Sequence, residues 1–226
     1  MTIINETTVV VFSSEELKTC LEGNNGYAII YLGANITLGS GINISSSKQS
    51  IIIDGTYEGI TYQLEDRKSS TTGDTIRVSA AYPNKVVVQN MNIIGYNYYG
   101  VIFVPEASTY QNTVIEYNNI TYVGPQISFH PYGLTRFINC NITIADNYNT
   151  GNEVAECNKI EIGGQTTITH KSSGNSSFWF RNATPSLTIL SNANLNFSSE
   201  KRELFYGVSN LKLTILKGAT FNIVTT

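Results

Sequence analysis

The sequence predicts an all-β fold: a right-handed parallel β-helix of about eight coils, with a short capping helix at its N-terminal end. Three observations predict it. First, an apolar residue recurs at Ile93, Ile120, Ile142, Ile168, Leu195 and Phe221, at intervals of 27, 22, 26, 27 and 26 residues. Six positions before these stand Val87, Val114, Arg136, Ile162, Ile189 and Ile215; two after stand Gly95, Tyr122, Ile144, His170, Phe197 and Ile223. Second, three positions before each anchor stand Asn90, Tyr117, Asn139, Gln165, Asn192 and Gly218, with Asn118 and Gly164 one residue from the two misfits. Asn and Gly tolerate a left-handed backbone, so this column reads as a turn between two short strands. Third, the links are short. Lys217-Gly218-Ala219 joins the alternating strand Leu211-Lys212-Leu213-Thr214-Ile215 to Phe221-Asn222-Ile223. An ordinary parallel sheet needs crossovers of a dozen residues or more. A unit this small cannot bury its own apolar face, so it stacks on its neighbours.

Taken in order, Val9-Val10-Val11-Phe12 reads as a first strand. Ser13 and Glu16 then form a capping box, Leu17, Cys20 and Leu21 fall on one helical face, and Gly23 marks the stop. This cap, at about residues 9–23, would cover the open end of the apolar core. The coils occupy 28–226 of one domain spanning 1–226. Ile30, Gly33, Ile36 and Leu38 repeat the later pattern, and Ile51-Ile52-Ile53-Asp54-Gly55 begins the next coil with Asp-Gly as its turn. The register loosens over 58–84, which reads as an insertion carrying Glu65-Asp66-Arg67-Lys68 and Ser69-Ser70-Thr71-Thr72-Gly73. Regular coils resume at Lys85, with loops near 105–112, 145–158 and 171–186. The closing strand Phe221–Thr226 lacks a cover, so the chain is expected to continue beyond it or to meet another domain there.

Composition excludes several functions. A charged fraction of 14% and a net charge of −3, without a basic run, argue against nucleic acid as a partner. No segment is apolar enough for a membrane span, and Met1-Thr2-Ile3-Ile4-Asn5 lacks the features of a signal peptide. That leaves a cytoplasmic protein or a piece of a longer exported one, and the uncovered last strand favours the second. Cys20, Cys140 and Cys157 have no metal or redox spacing and are expected as small buried side chains, with a Cys140–Cys157 bridge as the alternative.

A parallel β-helix suggests enzymes of acidic polysaccharides, which need clustered carboxylates for calcium and a base, or two carboxylates facing one bond. Asp54, Glu116 and Asp146 occupy different register positions. Glu153, Glu156 and Glu161 read as a solvated edge, and Arg136 and Arg181 have no evident acidic partner. His130 and His170 stand too far apart for a metal or catalytic pair. No catalytic residue, metal ligand or cofactor is therefore expected. Aromatic residues carry more signal. Tyr96, Tyr98, Tyr99, Tyr132 and Trp179 follow the anchors of nearby coils and could stack on sugar rings or a protein partner. The alternative is an aromatic ladder filling a wide bend. The triplets Asn35-Ile36-Thr37, Asn119-Ile120-Thr121 and Asn141-Ile142-Thr143 lie within stacked strands and are not read as glycan acceptors.

The segments Tyr122-Val123-Gly124-Pro125-Gln126-Ile127-Ser128-Phe129-His130, Glu153-Val154-Ala155-Glu156-Cys157-Asn158-Lys159-Ile160, Thr166-Thr167-Ile168-Thr169, Ser177-Phe178-Trp179-Phe180 and Leu216–Ile223 come in a telling order. Together they resemble the pectate-lyase-like adhesive domain of Gram-positive surface proteins. The Ser-capped helix is similar to the family's start, and the resemblance covers roughly residues 9–226. It implies a non-enzymatic, wall-associated module outside the cell. Such a module would bind an extracellular glycan or a host or matrix protein, and would be joined to further domains of one polypeptide.

Overall fold

The computed structural model describes residues 1–66, 75–78, 83–145, 152–171, 176–200, 203–207 and 209–225. The backbone winds as a β-solenoid whose circuits pair in parallel, forming three long sheets. In sheet A, Val9, Ile30, Ile53, Val88, Tyr117, Phe137, Ile162, Ile189 and Ile215 follow one another in register. Sheet B carries Ile36, Leu64, Ile93, Tyr122, Ile142, Ile168, Phe197 and Ile223. Sheet C carries Ile42, Ile76, Ile102, Ser128, Ala155, Phe178 and Phe205. Alternation sends these residues inward, and nearly all are buried through the middle coils. Among the described residues seven circuits pass through all three sheets, and an eighth contributes Lys212–Ile215 and Thr220–Thr225. This is close to the expected eight.

The first turn is sealed. Thr2–Asn5 pairs antiparallel with Thr8–Val11, and helix α1, Ser14–Glu22, lies over the end of the core. The Ser13 hydroxyl accepts from the Glu16 amide at 3.2 Å, and the Glu16 carboxylate accepts from the Phe12 amide at 2.8 Å and pairs with the N-terminal amine. Leu17, Cys20 and Leu21 are fully buried, as their spacing predicts.

The turn column is occupied by Asn90, Asn119, Asn139, Gly164, Asn192 and Gly218, all with φ between 53° and 75°. Asn119, rather than the expected Asn118, takes the left-handed position. The turn at Asn119, two residues after Tyr117, moves that coil's anchor from Ile120 to Tyr122, whereas at Leu195 the predicted turn Asn192 is kept and the offset arises elsewhere in the coil. Ile93 stacks on Tyr122 while Ile120 stacks on Met91. Ile168 stacks on Phe197 while Leu195 stacks on Thr166. Each slip is two residues, so every anchor side chain keeps its inward face, whereas Val87 of the earlier column shares the outward file of Glu116 and Arg136. Arg136, the one polar residue in its predicted column, is an outward residue, and its neighbour Phe137 fills the inward rung.

The expected insertion at 58–84 is narrower than its range. Gln63–Glu65 and Ile76–Val78 are solenoid strands in sheets B and C. What projects among the described residues is a hairpin of Thr56–Tyr57 and Ile60–Thr61. Its two-residue turn, Glu58-Gly59, has positive φ at both positions, the geometry that matches strand twist. Asp66 follows the strand Gln63–Glu65, whereas Arg67–Gly73 of the predicted charged and polar run, and Asp146, lie outside the described residues. All three cysteines are free and buried, so Cys140 and Cys157 are not bridged.

Candidate functional site

Two sheets carry distinctive outward files. On sheet A, Glu116, Arg136 and Glu161 are adjacent rungs. The Arg136 guanidinium donates to Glu161 at 2.8 Å through Nε and to Glu116 at 3.1 Å, and Lys85 reaches Glu116 at 3.0 Å. Arg136 therefore has two acidic partners in register, contrary to expectation. These cations hold the Glu116 carboxyl below its usual range despite partial burial. The arrangement is a tie across coils.

Sheet C is different. Its outward file runs Asn43, Arg77, Phe103, Phe129, Glu156, Trp179, Tyr206. The Phe103 and Phe129 rings stack at 5.0 Å with 19° between planes, and the Arg77 guanidinium lies 5.4 Å from the Phe103 ring centre. Tyr99 meets both phenylalanines edge-on at 5.9 and 5.4 Å, leaving them only 7% and 6% exposed. Tyr98 packs edge-on against Tyr99 at 5.1 Å. Two rungs on, the Arg181 guanidinium sits 4.5 Å from the Trp179 ring centre, and Tyr206 meets that indole edge-on at 5.3 Å. Such geometry is the favoured one for aromatic pairs and for a cation over a π face.

Glu156 lies between the two aromatic groups and is 4% exposed. The Arg181 side chain donates to it at 3.2 Å and to Glu106 at 3.0 Å. Burial pushes the Glu156 carboxyl up to about 7, against the opposing pull of Arg181. The Tyr98 hydroxyl is raised by the same burial, with Glu153 and Glu156 adding to it and Asn152 opposing. Glu153 is 1% exposed and Glu161 is ion-paired, so the predicted solvated edge is an acidic group taken into the wall of the solenoid.

Of the five aromatic residues predicted for a surface, all are half-buried, and the structure gathers three. Tyr98 and Tyr99 edge the phenylalanine stack, and Trp179 forms the shelf beyond Glu156. Tyr132 stands apart. It lines a cavity of about 270 Å³ with Asn158, Lys159 and Asn182, beyond the segment that carries Arg181. The Tyr96 amide donates to the buried Asp66 carboxylate, which anchors the start of the tyrosine segment. Sequence reasoning missed Arg77, Phe103, Glu106 and Tyr206, and set aside Glu156 and Arg181 as a solvated edge and an unpaired cation. Phe103, Phe129, Trp179 and Tyr206 recur about one or two coils apart, a signal a register search in sheet C would have caught.

His130 and His170 are both buried and separate. His170 donates through Nε2 to the Asn152 carbonyl and shares a hydrogen bond through Nδ1 with the Ser177 hydroxyl, each at 2.8 Å. Burial drives the His130 imidazole down to about 4, so it is neutral. Among the described residues no three His, Cys, Asp or Glu side chains gather as a metal site requires, and no helix is long and apolar enough to cross a membrane.

Comparison with known proteins agrees with this geometry. The SRRP of L. reuteri 53608 superposes with a TM-score of 0.61 at 16% identity, over 93% of this chain and 78% of that one, which shows a shared fold. No curated protein matches the sequence. The profile of the "pectate lyase-like adhesive domain" family matches residues 8–129, from the strand Thr8–Val11 through Phe129 of the aromatic stack, and the chain belongs to that family of adhesive domains.

Proposed function

We propose that the chain is a non-enzymatic adhesion module at the outer surface of a cell, part of a longer wall-associated polypeptide, and that sheet C grips its extracellular ligand. The observation that carries this reading is the file from Arg77 to Tyr206. There, ring faces, an arginine over an indole and a buried carboxyl share one strip along the solenoid axis. Aromatic and arginine side chains held rigid by their neighbours lose little entropy on binding and dominate recognition surfaces. A sugar ring stacked on Trp179 or a protein side chain seated beside it uses the same shelf. Binding across several rungs adds weak contacts into useful strength.

The test is direct. Trp179→Ala and Tyr98→Ala should each weaken binding to a glycan or matrix-protein ligand by tenfold or more, about 1.4 kcal/mol or above. Their far-ultraviolet spectra and melting temperatures should stay close to wild type. Equal binding by both variants would remove sheet C as the site. In parallel, incubation with uronides and calcium should release no unsaturated sugar; its appearance would overturn the non-enzymatic reading.

A further inference from the structure

Sheet B has an outward face unlike the other two. Asn92, Thr121, Asn141, Thr167, Asn196 and Asn222 stack in register through successive coils, and all six are exposed. To one side run Gln165, Asn194 and Thr220; to the other run Ile94, Val123, Thr143, Thr169, Ser198 and Val224. Glu65, in register with Ile94 at the N-terminal end of the last file, is the one charged residue of these three files among the described residues, and none of them carries a lysine or arginine. At the upper coils the central file meets the turn residues Asn90, Asn119 and Asn139 in a groove of about 450 Å³, whose described lining is uncharged.

We infer that sheet B is a second binding face, for an uncharged, hydroxyl-rich polysaccharide laid along the solenoid axis. Three properties select that occupant. Without lysine or arginine the face offers no attraction to a polyanion. Without an aromatic or arginine anchor in the file it lacks the groups that carry protein–protein affinity. What remains are amides and hydroxyls, each able to donate and to accept, as a sugar hydroxyl also does. Rungs repeat at the strand spacing of roughly 4.8 Å, so a polymer with repeating hydroxyls meets several rungs at once. Some amides already bind along the ladder, as Asn222 does to Asn196 at 2.9 Å and Asn119 to Asn90 at 2.9 Å. Those bonds fix the amide planes, and Asn90 is further held by its donation to Asp54 at 3.0 Å.

The experiment is affinity electrophoresis of the intact chain through gels containing a neutral β-glucan, a neutral α-mannan, a neutral galactan or a polyuronate. At least one neutral polymer should retard the wild type. The double variant Thr121→Lys/Thr167→Lys should lose at least tenfold in that affinity, while Trp179→Ala should keep it. The isosteric double variant Thr121→Val/Thr167→Val, which removes only the hydroxyls, should weaken it without changing the melting temperature. No retardation by any neutral polymer, unchanged retardation in both double variants, or equal loss in Trp179→Ala would each overturn the assignment. A shift of wild type to a dimer that the lysine variant abolishes, with no polysaccharide effect, would overturn it in favour of self-association. Because the two faces carry separate substitutions, failure here leaves the sheet C reading standing, and the reverse.

Discussion

Asp66 shows how burial alone can make a single residue pH-sensitive. Its carboxyl is 1% exposed, accepts from the Tyr96 and Asn97 amides, and is pushed up to about 7 by desolvation. An unfolded aspartic acid titrates near 3.8. Between these values the folded chain holds a proton that the unfolded chain has released. Stability from this group is therefore greatest at acid pH and falls as pH rises from about 4 to about 7. Asp66→Asn keeps an acceptor for the two amides and cannot ionise, so the slope of melting temperature against pH across that window should flatten. An unchanged slope would place the titration elsewhere, with Glu156 the next group to replace. Neither residue stood out in the sequence as anything but a loop acid, because desolvation comes from coils distant along the chain.

The turn between sheets A and B is the element on which register depends. Asn139 has φ of 53°, and its side-chain carbonyl accepts from the Gln165 amide of the next coil at 3.0 Å. A left-handed backbone costs most residues about 1–2 kcal/mol, which Asn partly avoids by bonding locally. Asn139→Ala should lower unfolding free energy by about 1–2 kcal/mol, and Asn139→Gly by less, because glycine gives up only the bond. Urea titration distinguishes the two. This element was largely legible in the sequence, since its chemistry is local: Asn or Gly at a bend between alternating strands. The two-residue slips at Ile120 and Leu195 were not, because a strand lengthened by two keeps the same face and leaves no trace in the alternation.

For the molecule as a whole, the period gave the solenoid away, while the file on sheet C proposed here for binding stayed hidden. Tyr98, Tyr99 and Trp179 were found as local clusters, yet Arg77, Phe103, Phe129, Glu156 and Tyr206 become neighbours only when coils stack. Connections of unequal length between sheets B and C, short from Tyr122 to Ser128 and longer from Ile142 to Ala155, blur that register in the linear sequence. The small motif scale also explains why Arg136 and Arg181 looked unpaired. Their carboxylates come from other coils.

The parallel pairing of coil on coil has a mechanical consequence for an adhesive domain. Inter-strand hydrogen bonds point along the solenoid axis, so tension between the two ends of the rod loads them lengthwise and peels circuits away singly. Each freed circuit of 26 residues or so would pay out about 90 Å of chain. Stretching the chain between a surface and a probe should therefore give a staircase of near-equal extensions. Because an antiparallel strand and α1 clasp the first turn, that turn should be among the last to yield. A surface protein built this way would lengthen under flow before letting go.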